Sequence, residues 1–500
     1  MPLSAHQTPT DTTDDLEEVL STADIKSLKQ KSVSGALSYF MRTAVLQGIG
    51  LVSAFILSAF FSPEDYGVYG YVTQVIGLLI FFSDIGLAAS LVQKKNEPSL
   101  KDYRTVFTVQ QILSWLIVLV AIMVGSSSFI QQKVGPTGNW ILLALAISFP
   151  LASLKTISSI KLERKLQFSK LVFPQILEQI SFHGILIALA WKGYGAMAYT
   201  WAILVRSIVG TVAMLFTMPW KIGFQLDRKS LKNLLGFGAK FQLNDLLARI
   251  KDQLYFLALG QFFSLKEFGY IQWSKNWSMY PYNLTVQNVM SITFPTFSRL
   301  QKYPDLLKKA LEKSLFFISL SIFPILVGMS VLINPLTQVI GKYNKWQPAV
   351  FSFILFALSV SWSAISTPLV NTLNAIGQIN KSLKLMVIWT ILTWVISPIT
   401  IYFFGLNGVA LAALLISFTS ILSIKYVKEF VAINVWEQIW RQLLAGTVMA
   451  GVGLAIQPFL SSSLKFFLIG GFVLGLSYLL ALFLIGYKKI VNETKSLFSK

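Results

Sequence analysis

The sequence predicts an all-α integral membrane protein. About fourteen transmembrane helices form two pseudo-symmetric six-helix lobes around a central cavity, and two further helices follow at the C-terminus. Three observations carry that prediction. The 500-residue chain is 54% hydrophobic and only 13% charged, with a mean hydropathy of +0.63, whereas soluble globular chains carry about 25% charged residues. Apolar runs of about 20 residues, enough to cross roughly 30 Å of hydrocarbon, recur along nearly the whole chain. Short motifs from the first half return at equivalent positions in the second.

The runs place spans near 33–60, 68–92, 104–125, 139–155, 171–191, 194–218, 234–262, 268–297, 311–333, 346–374, 384–404, 407–424, 438–457 and 466–487. Basic residues test that count. With the N-terminus inside, 30 of the 42 Lys and Arg fall in inner segments, six in outer segments and six within spans. Such a bias places both termini in the cytoplasm. The net charge of +20 is then a matter of topology and of attraction to anionic lipid headgroups, not of nucleic-acid binding. Residues 1–31 hold six acids and few apolar side chains, which reads as a disordered cytoplasmic tail with no cleavable signal sequence.

The repeat divides the chain. Phe60–Val68 reads FFSPEDYGV at the outer end of the first span, and Phe262–Tyr270 reads FFSLKEFGY at the outer end of the seventh. GYGAMA (Gly193–Ala198) and GLNGVALA (Gly405–Ala412) likewise occupy equivalent loops. A six-span unit returns the chain to its starting side, so two units run parallel about an axis along the membrane normal. The expected organisation is an N-lobe over 32–218, a linker over 219–233, a C-lobe over 234–428, and spans thirteen and fourteen within 429–500. Ser62-Pro-Glu-Asp and Ser264-Leu-Lys-Glu both read as helix starts, with Ser at the cap and an acid three residues on.

Catalytic chemistry finds no footing. The chain lacks cysteine, its two histidines are His6 in the tail and His183 on an apolar helix, and no metal-spaced cluster or Gly-rich phosphate loop appears. His183 reads as a packing residue. No catalytic residue, metal or cofactor is expected, and the short outer loops offer little to hold a sugar for transfer.

Charge inside the membrane is the functional signal. Ten ionisable residues fall within spans: Arg42, Asp84, Glu178, Arg206, Lys240, Asp245, Arg249, Lys251, Asp252 and Lys275. A central charge costs roughly 2.5–3.5 kcal/mol on insertion scales, so the five on span seven alone would cost up to about 15 kcal/mol. That helix must line a polar interior. Asp245, Arg249 and Asp252 share one helical face and neutralise one another, while Lys240 and Lys251 lie on another and leave it positive. Arg42, Arg206 and Lys275 add cations in other spans, a pattern suited to a phosphate or pyrophosphate. Asp84, among small residues in FFSDIGLAAS, reads as a packed, hydrogen-bonded acid. Glu178 shows no partner and is the better coupling carboxylate. Asn276 and the neighbouring aromatic residues of span eight suit a glycan path, and suit a membrane interface equally well.

SLKQKSVSGALSYF, FFSPEDYGVYGYV and FSDIGLAASLVQKKN, then ARIKDQLYFLALGQFFSLKEFGY and ITFPTFSRLQ, resemble bacterial polysaccharide transporters. These are the Wzx-like oligosaccharide-lipid flippases of the multidrug/oligosaccharidyl-lipid/polysaccharide exporter superfamily. Arg249 and Asp252 match the family's Arg and Asp three apart, while QLYFLALGQ departs from its small apolar run. The resemblance implies a bacterial inner-membrane protein that moves polyprenyl-pyrophosphate-linked oligosaccharide from the cytoplasmic to the outer leaflet by alternating access. It implies lipid-linked oligosaccharide and membrane lipids as partners, polysaccharide polymerase and chain-length machinery as neighbours, and a monomeric transporter. Two other classes stay open: a cation-coupled drug antiporter on the same architecture, and a membrane glycan polymerase or transferase.

Overall fold

The computed structural model describes residues 43, 45–94, 96–165, 167–232, 234 and 253–498. Arg42 and the five charges from Lys240 to Asp252 lie outside the described residues. All regular structure within them is helical. The first helix, α1, spans Val45–Phe60. It is followed by α2 (Pro63–Leu79), α3 (Leu87–Gln93), α4 (Leu100–Ser126), α5 (Ser128–Arg164), α6 (Phe168–Trp191) and α7 (Met197–Thr217). After the linker come α8 (253–262), α9 (Leu265–Arg299), α10 (Pro304–Val339), α11 (Val350–Ala375), α12 (Ile379–Phe404), α13 (Leu406–Phe418) and α14 (Ile421–Lys428). The last helices are α15 (Val435–Ala455), α16 (Gln457–Leu460) and α17 (Leu464–Phe498).

Every expected span meets helix. Among the described residues, nine helical stretches are long and apolar enough to cross a membrane on their own. Others rely on their neighbours: α9 carries polar side chains along its length, and α1 and α2 are short in their described parts. Two expected spans are not continuous. The second breaks after a 3-10 turn at Ile80–Ser83, where Ile85 takes φ +51° and Gly86 φ +76°. A β-branched residue in the left-handed region is strained. Asp84 offsets that strain by accepting the Ala88 amide at the start of α3. The twelfth span is split between α13 and α14 at Thr419–Ser420.

Helices α4 to α7 pack together in the first half of the chain, and α9 to α13 in the second. Helices α15 and α17 pack on each other and on α10, as an addition to the second group. The halves meet along α2 and α9. Both helices start at the repeated motif, and both starts are closed by reciprocal caps. The Asp65 amide donates to Ser62 Oγ at 3.1 Å while the Ser62 amide donates to Asp65. Glu267 and Ser264 repeat the arrangement. One turn further in, the helices cross backbone to backbone. A Cβ on Gly67 would lie 1.8 Å from the Leu265 carbonyl oxygen, and one on Gly269 would lie 1.7 Å from that of Pro63. Small residues permit such close approach in membranes.

Alanine at Gly67 or Gly269 therefore forces α2 and α9 apart. We expect each substitution to lower the melting temperature of the detergent-solubilised protein, at a cost of about 1–3 kcal/mol for overpacking. Gly48→Ala, at a position with nothing within 4 Å of the added Cβ, is the control and should not destabilise.

Candidate functional site

Between α2 and α9, inward of the glycine crossing, lies a cavity of about 260 Å³. Gly50, Ala54 and Gly70 leave the space. Tyr66, Tyr69, Tyr199, Trp277 and Tyr280 line it with rings, and Gln74, Gln272, Asn276 and His183 supply hydrogen-bonding groups. Tyr69 and Tyr199 stack in parallel, with centroids 3.8 Å apart. Rings beside amides suit the faces and hydroxyls of a sugar.

The end of this cavity nearest the starts of α2 and α9 is closed by groups from opposite halves of the chain. Helix α1 ends at Phe60, and its last carbonyls have no partner within the helix. Residues of the 3-10 segment Gly341–Ala349 supply donors. Lys345 Nζ donates to the Ala59 carbonyl at 2.8 Å and Trp346 Nε1 to that of Ser58 at 2.7 Å. The Tyr343 hydroxyl donates to the Phe55 carbonyl. Ser58 Oγ accepts the indole N–H of Trp273 at 2.9 Å and of Trp277 at 3.3 Å. The reverse contact exists too: Lys133, near the start of α5, donates to the Phe263 carbonyl just past the end of α8, at 2.8 Å. Each half thus places a lysine on the negative end of the other half's helix.

Arg206 on α7 faces this region. Its side chain is 42% exposed, its guanidinium lies 5.4 Å from the ring centre of Phe182 on the cavity wall, and its Nε is 4.0 Å from Glu178. Glu178 is the main correction to the sequence reading. It is buried and paired with Lys155, so two cations attend a carboxylate that seemed to have none. Lys155 stands at the edge of the fourth expected span, 139–155. Helix α5 continues to Arg164, which carries Lys155 along the helix to the level of Glu178. Gly210 makes room for the carboxylate, since a Cβ there would lie 2.1 Å from Glu178 Oε1. Lys155 and Glu178 also line a second cavity, of about 620 Å³, with Glu163 and Gln175.

Asp84 is hydrogen-bonded, as its small neighbours suggested: it accepts the Ala88 amide in the first turn of α3 and the Gln110 side chain. Lys275 and Asn276 are adjacent in sequence, yet the helical turn sends them apart. Asn276 is exposed into the interlobe cavity. Lys275 stands 3.6 Å over the Phe256 ring, in a third cavity of about 330 Å³ lined by Ser278, Ser359, Ser363, Ser397 and Ser417. The structure thus brings Arg206 and Asn276 to the region between the halves, with Glu178 behind Arg206. Lys275 and Asp84 lie elsewhere. Sequence reasoning missed His183 as a wall residue. Buried ring polarity beside Arg206 was the available signal, and its Nδ1 is buried without a hydrogen bond among the described residues. Among those residues no cluster of His, Asp and Glu could hold a metal.

Two helical lobes with a cavity between them, shut at one end by cross-lobe contacts, form the architecture of a membrane transporter. Among solved structures, its fold resembles that of the lipid II flippase MurJ in an inward closed conformation. The TM-score is 0.72 at 16% identity, covering 92% of this chain and 100% of that one. The family model for polysaccharide biosynthesis proteins matches residues 56–351, more than half of the chain. The protein belongs to that family and to its Wzx-like transporters. It is 22% identical over 368 residues to the lipopolysaccharide biosynthesis protein WzxC of Escherichia coli, covering 73% of this chain and 74% of the relative. It is 21% identical over 422 residues to a probable low-salt glycan biosynthesis flippase, Agl15, of Haloferax volcanii, covering 81% and 86%.

Two outcomes follow from the geometry. Lys155→Met should destabilise the protein by about 3 kcal/mol, because a buried carboxylate loses its nearest cation. Lys155→Met combined with Glu178→Leu should recover most of that loss in the same thermal melts. Lys133→Met or Lys345→Met removes one cross-lobe cap. Because the chain has no native cysteine, a single Asn276→Cys can report the effect. An impermeant maleimide applied outside intact cells should label it faster in either lysine variant than in the Asn276→Cys protein alone.

Proposed function

We propose that this protein is a flippase, and not an enzyme, that carries a polyprenyl-pyrophosphate-linked oligosaccharide from the cytoplasmic to the outer leaflet for surface polysaccharide assembly. The observation that carries the reading is the interlobe cavity: aromatic faces and amides lie beneath an outer end shut by groups from both lobes. A glycan is amphipathic in the same sense, with apolar ring faces and polar hydroxyls. Arg206 lies 5.4 Å from the Phe182 ring on that wall, and Arg42, Lys240, Arg249 and Lys251 are the further cations we assign to the pyrophosphate. The lipid tail stays in the bilayer between the lobes, taken as 32–218 and 234–428. The basic end faces the cytoplasm with both termini, in a bacterial inner membrane, and the closed outer end makes this an inward state. The names of relatives such as Agl15 and WzxC, from glycan and lipopolysaccharide biosynthesis, support the substrate class. Polymerase and chain-length machinery are its expected neighbours, with the transporter itself a monomer.

The drug-antiporter reading needs a carboxylate free to exchange a cation for a proton. Among the described residues Glu178 has two cationic neighbours and Asp84 caps a helix, which favours the flippase.

Deletion should cause a lipid-linked oligosaccharide to accumulate on the inner leaflet, identified by mass spectrometry of extracted lipids. Asn276→Leu and Gln74→Leu should each cut complementation roughly tenfold, the worth of one lost hydrogen bond of about 1.4 kcal/mol, while expressing normally. Accumulation of no lipid-linked glycan, together with drug efflux by the purified protein, would favour the antiporter.

A further inference from the structure

On the lipid-facing side of the C-terminal half lies a cleft of about 820 Å³, apart from the interlobe cavity. It runs between α10, α11, α14 and α15. Its long wall is apolar, with Leu358, Ile365 and Leu443 among the lining residues, and half-buried Trp362 stands within it. The other end of the wall differs in kind. Lys425 and Lys428, three apart on α14, reach the cleft from one face, with Asn434 and exposed Trp436 opposite. The acids around this end are committed elsewhere. Glu429 pairs with Lys381, Glu437 with Arg441 at 2.8 Å, and Glu312 accepts the Asn434 amide at 3.0 Å. Among the described residues no carboxylate forms an ion pair with Lys425 or Lys428.

We propose that this cleft is a binding site for one acidic phospholipid of the leaflet at the basic end of the protein, with acyl chain along the apolar wall and phosphate at Lys425 and Lys428. Charge complementarity selects the occupant. A neutral lipid would fill the same wall and leave two ammonium groups without an anion, whereas an anionic headgroup satisfies both. The Trp436 indole at the headgroup level suits an interfacial position. The cleft is bounded by α10, α11, α14 and α15 and does not open between the two lobes, so the proposal stands apart from the transport reading. It gives the appended helices α15 and α17 a role: α15 forms one wall of the site, and α17 braces α15.

The test is native mass spectrometry of the purified full-length protein in mixed phosphatidylglycerol and phosphatidylethanolamine. The wild type should retain one phosphatidylglycerol per chain in preference to phosphatidylethanolamine. Lys425→Gln with Lys428→Gln should lower that preference at least tenfold, as expected for two lysines at a membrane surface, without changing phosphatidylethanolamine retention. Thr447→Trp fills the cleft while leaving both lysines, and should expel the retained lipid. Phosphatidylglycerol retention unchanged in both variants would overturn the proposal. So would equal loss of the two lipids in the lysine variant, since headgroup charge would then play no part.

Discussion

The two halves of this protein touch where two helices meet without side chains between them. Gly67 lies against the Leu265 carbonyl and Gly269 against that of Pro63, and the contacts at this end of the molecule are arranged around that crossing. The capped starts of α2 and α9 fix where the crossing falls. The lysines Lys133 and Lys345 then close the adjacent helix ends from opposite sides. Among the described residues no salt bridge joins the lobes. The closure consists of backbone contact and of hydrogen bonds to carbonyls and to the Ser58 hydroxyl, those with a charged donor worth about 1.5–3 kcal/mol each. Water can replace such donors when the lobes part. A contact of this kind can hold one state and still be reversible, which is what alternating access requires.

Much of the architecture was legible because the membrane imposes it. Span length and the distribution of basic residues follow from hydrocarbon thickness and headgroup charge, and every expected span meets helix. The repeated Ser-x-x-acid motif also read correctly as a pair of helix starts. What stayed hidden depends on tertiary neighbours. The left-handed backbone at Ile85 follows an Asp84 that is held by Gln110 of a different helix, 26 residues away. Glu178 looked unpartnered because Lys155 is 23 residues away on a different helix. Lys275 and Asn276 were both read as substrate-binding candidates, and a single step around the helix sends them to different cavities. The five-charge segment around Arg249, which drew most attention in the sequence, lies outside the described residues, so the assignment of its cations to a pyrophosphate is a proposal.

The lobes share a plan and differ in chemistry. Each encloses an internal cavity. In the N-lobe it is lined by Lys155, Glu178 and Glu163, and in the C-lobe by serines around Lys275. Duplication explains the common shape. The divergence in charge means that the halves cannot play identical parts, even though they meet almost symmetrically at the outer end. The reciprocal contacts that close the cavity are thus distinct from its asymmetric surroundings, with Arg206 on one side and Asn276 on the other.

The closure at α2 and α9 must open for a glycan to leave outward. Glu64 and Lys266 are exposed beside that crossing, and the chain has no competing thiol. Cysteines at both positions, joined by a reducible bifunctional cross-linker in cells, should stop export of the polysaccharide, and reduction should restore it. Undiminished export with the two helices fully cross-linked would contradict a transport cycle that opens there.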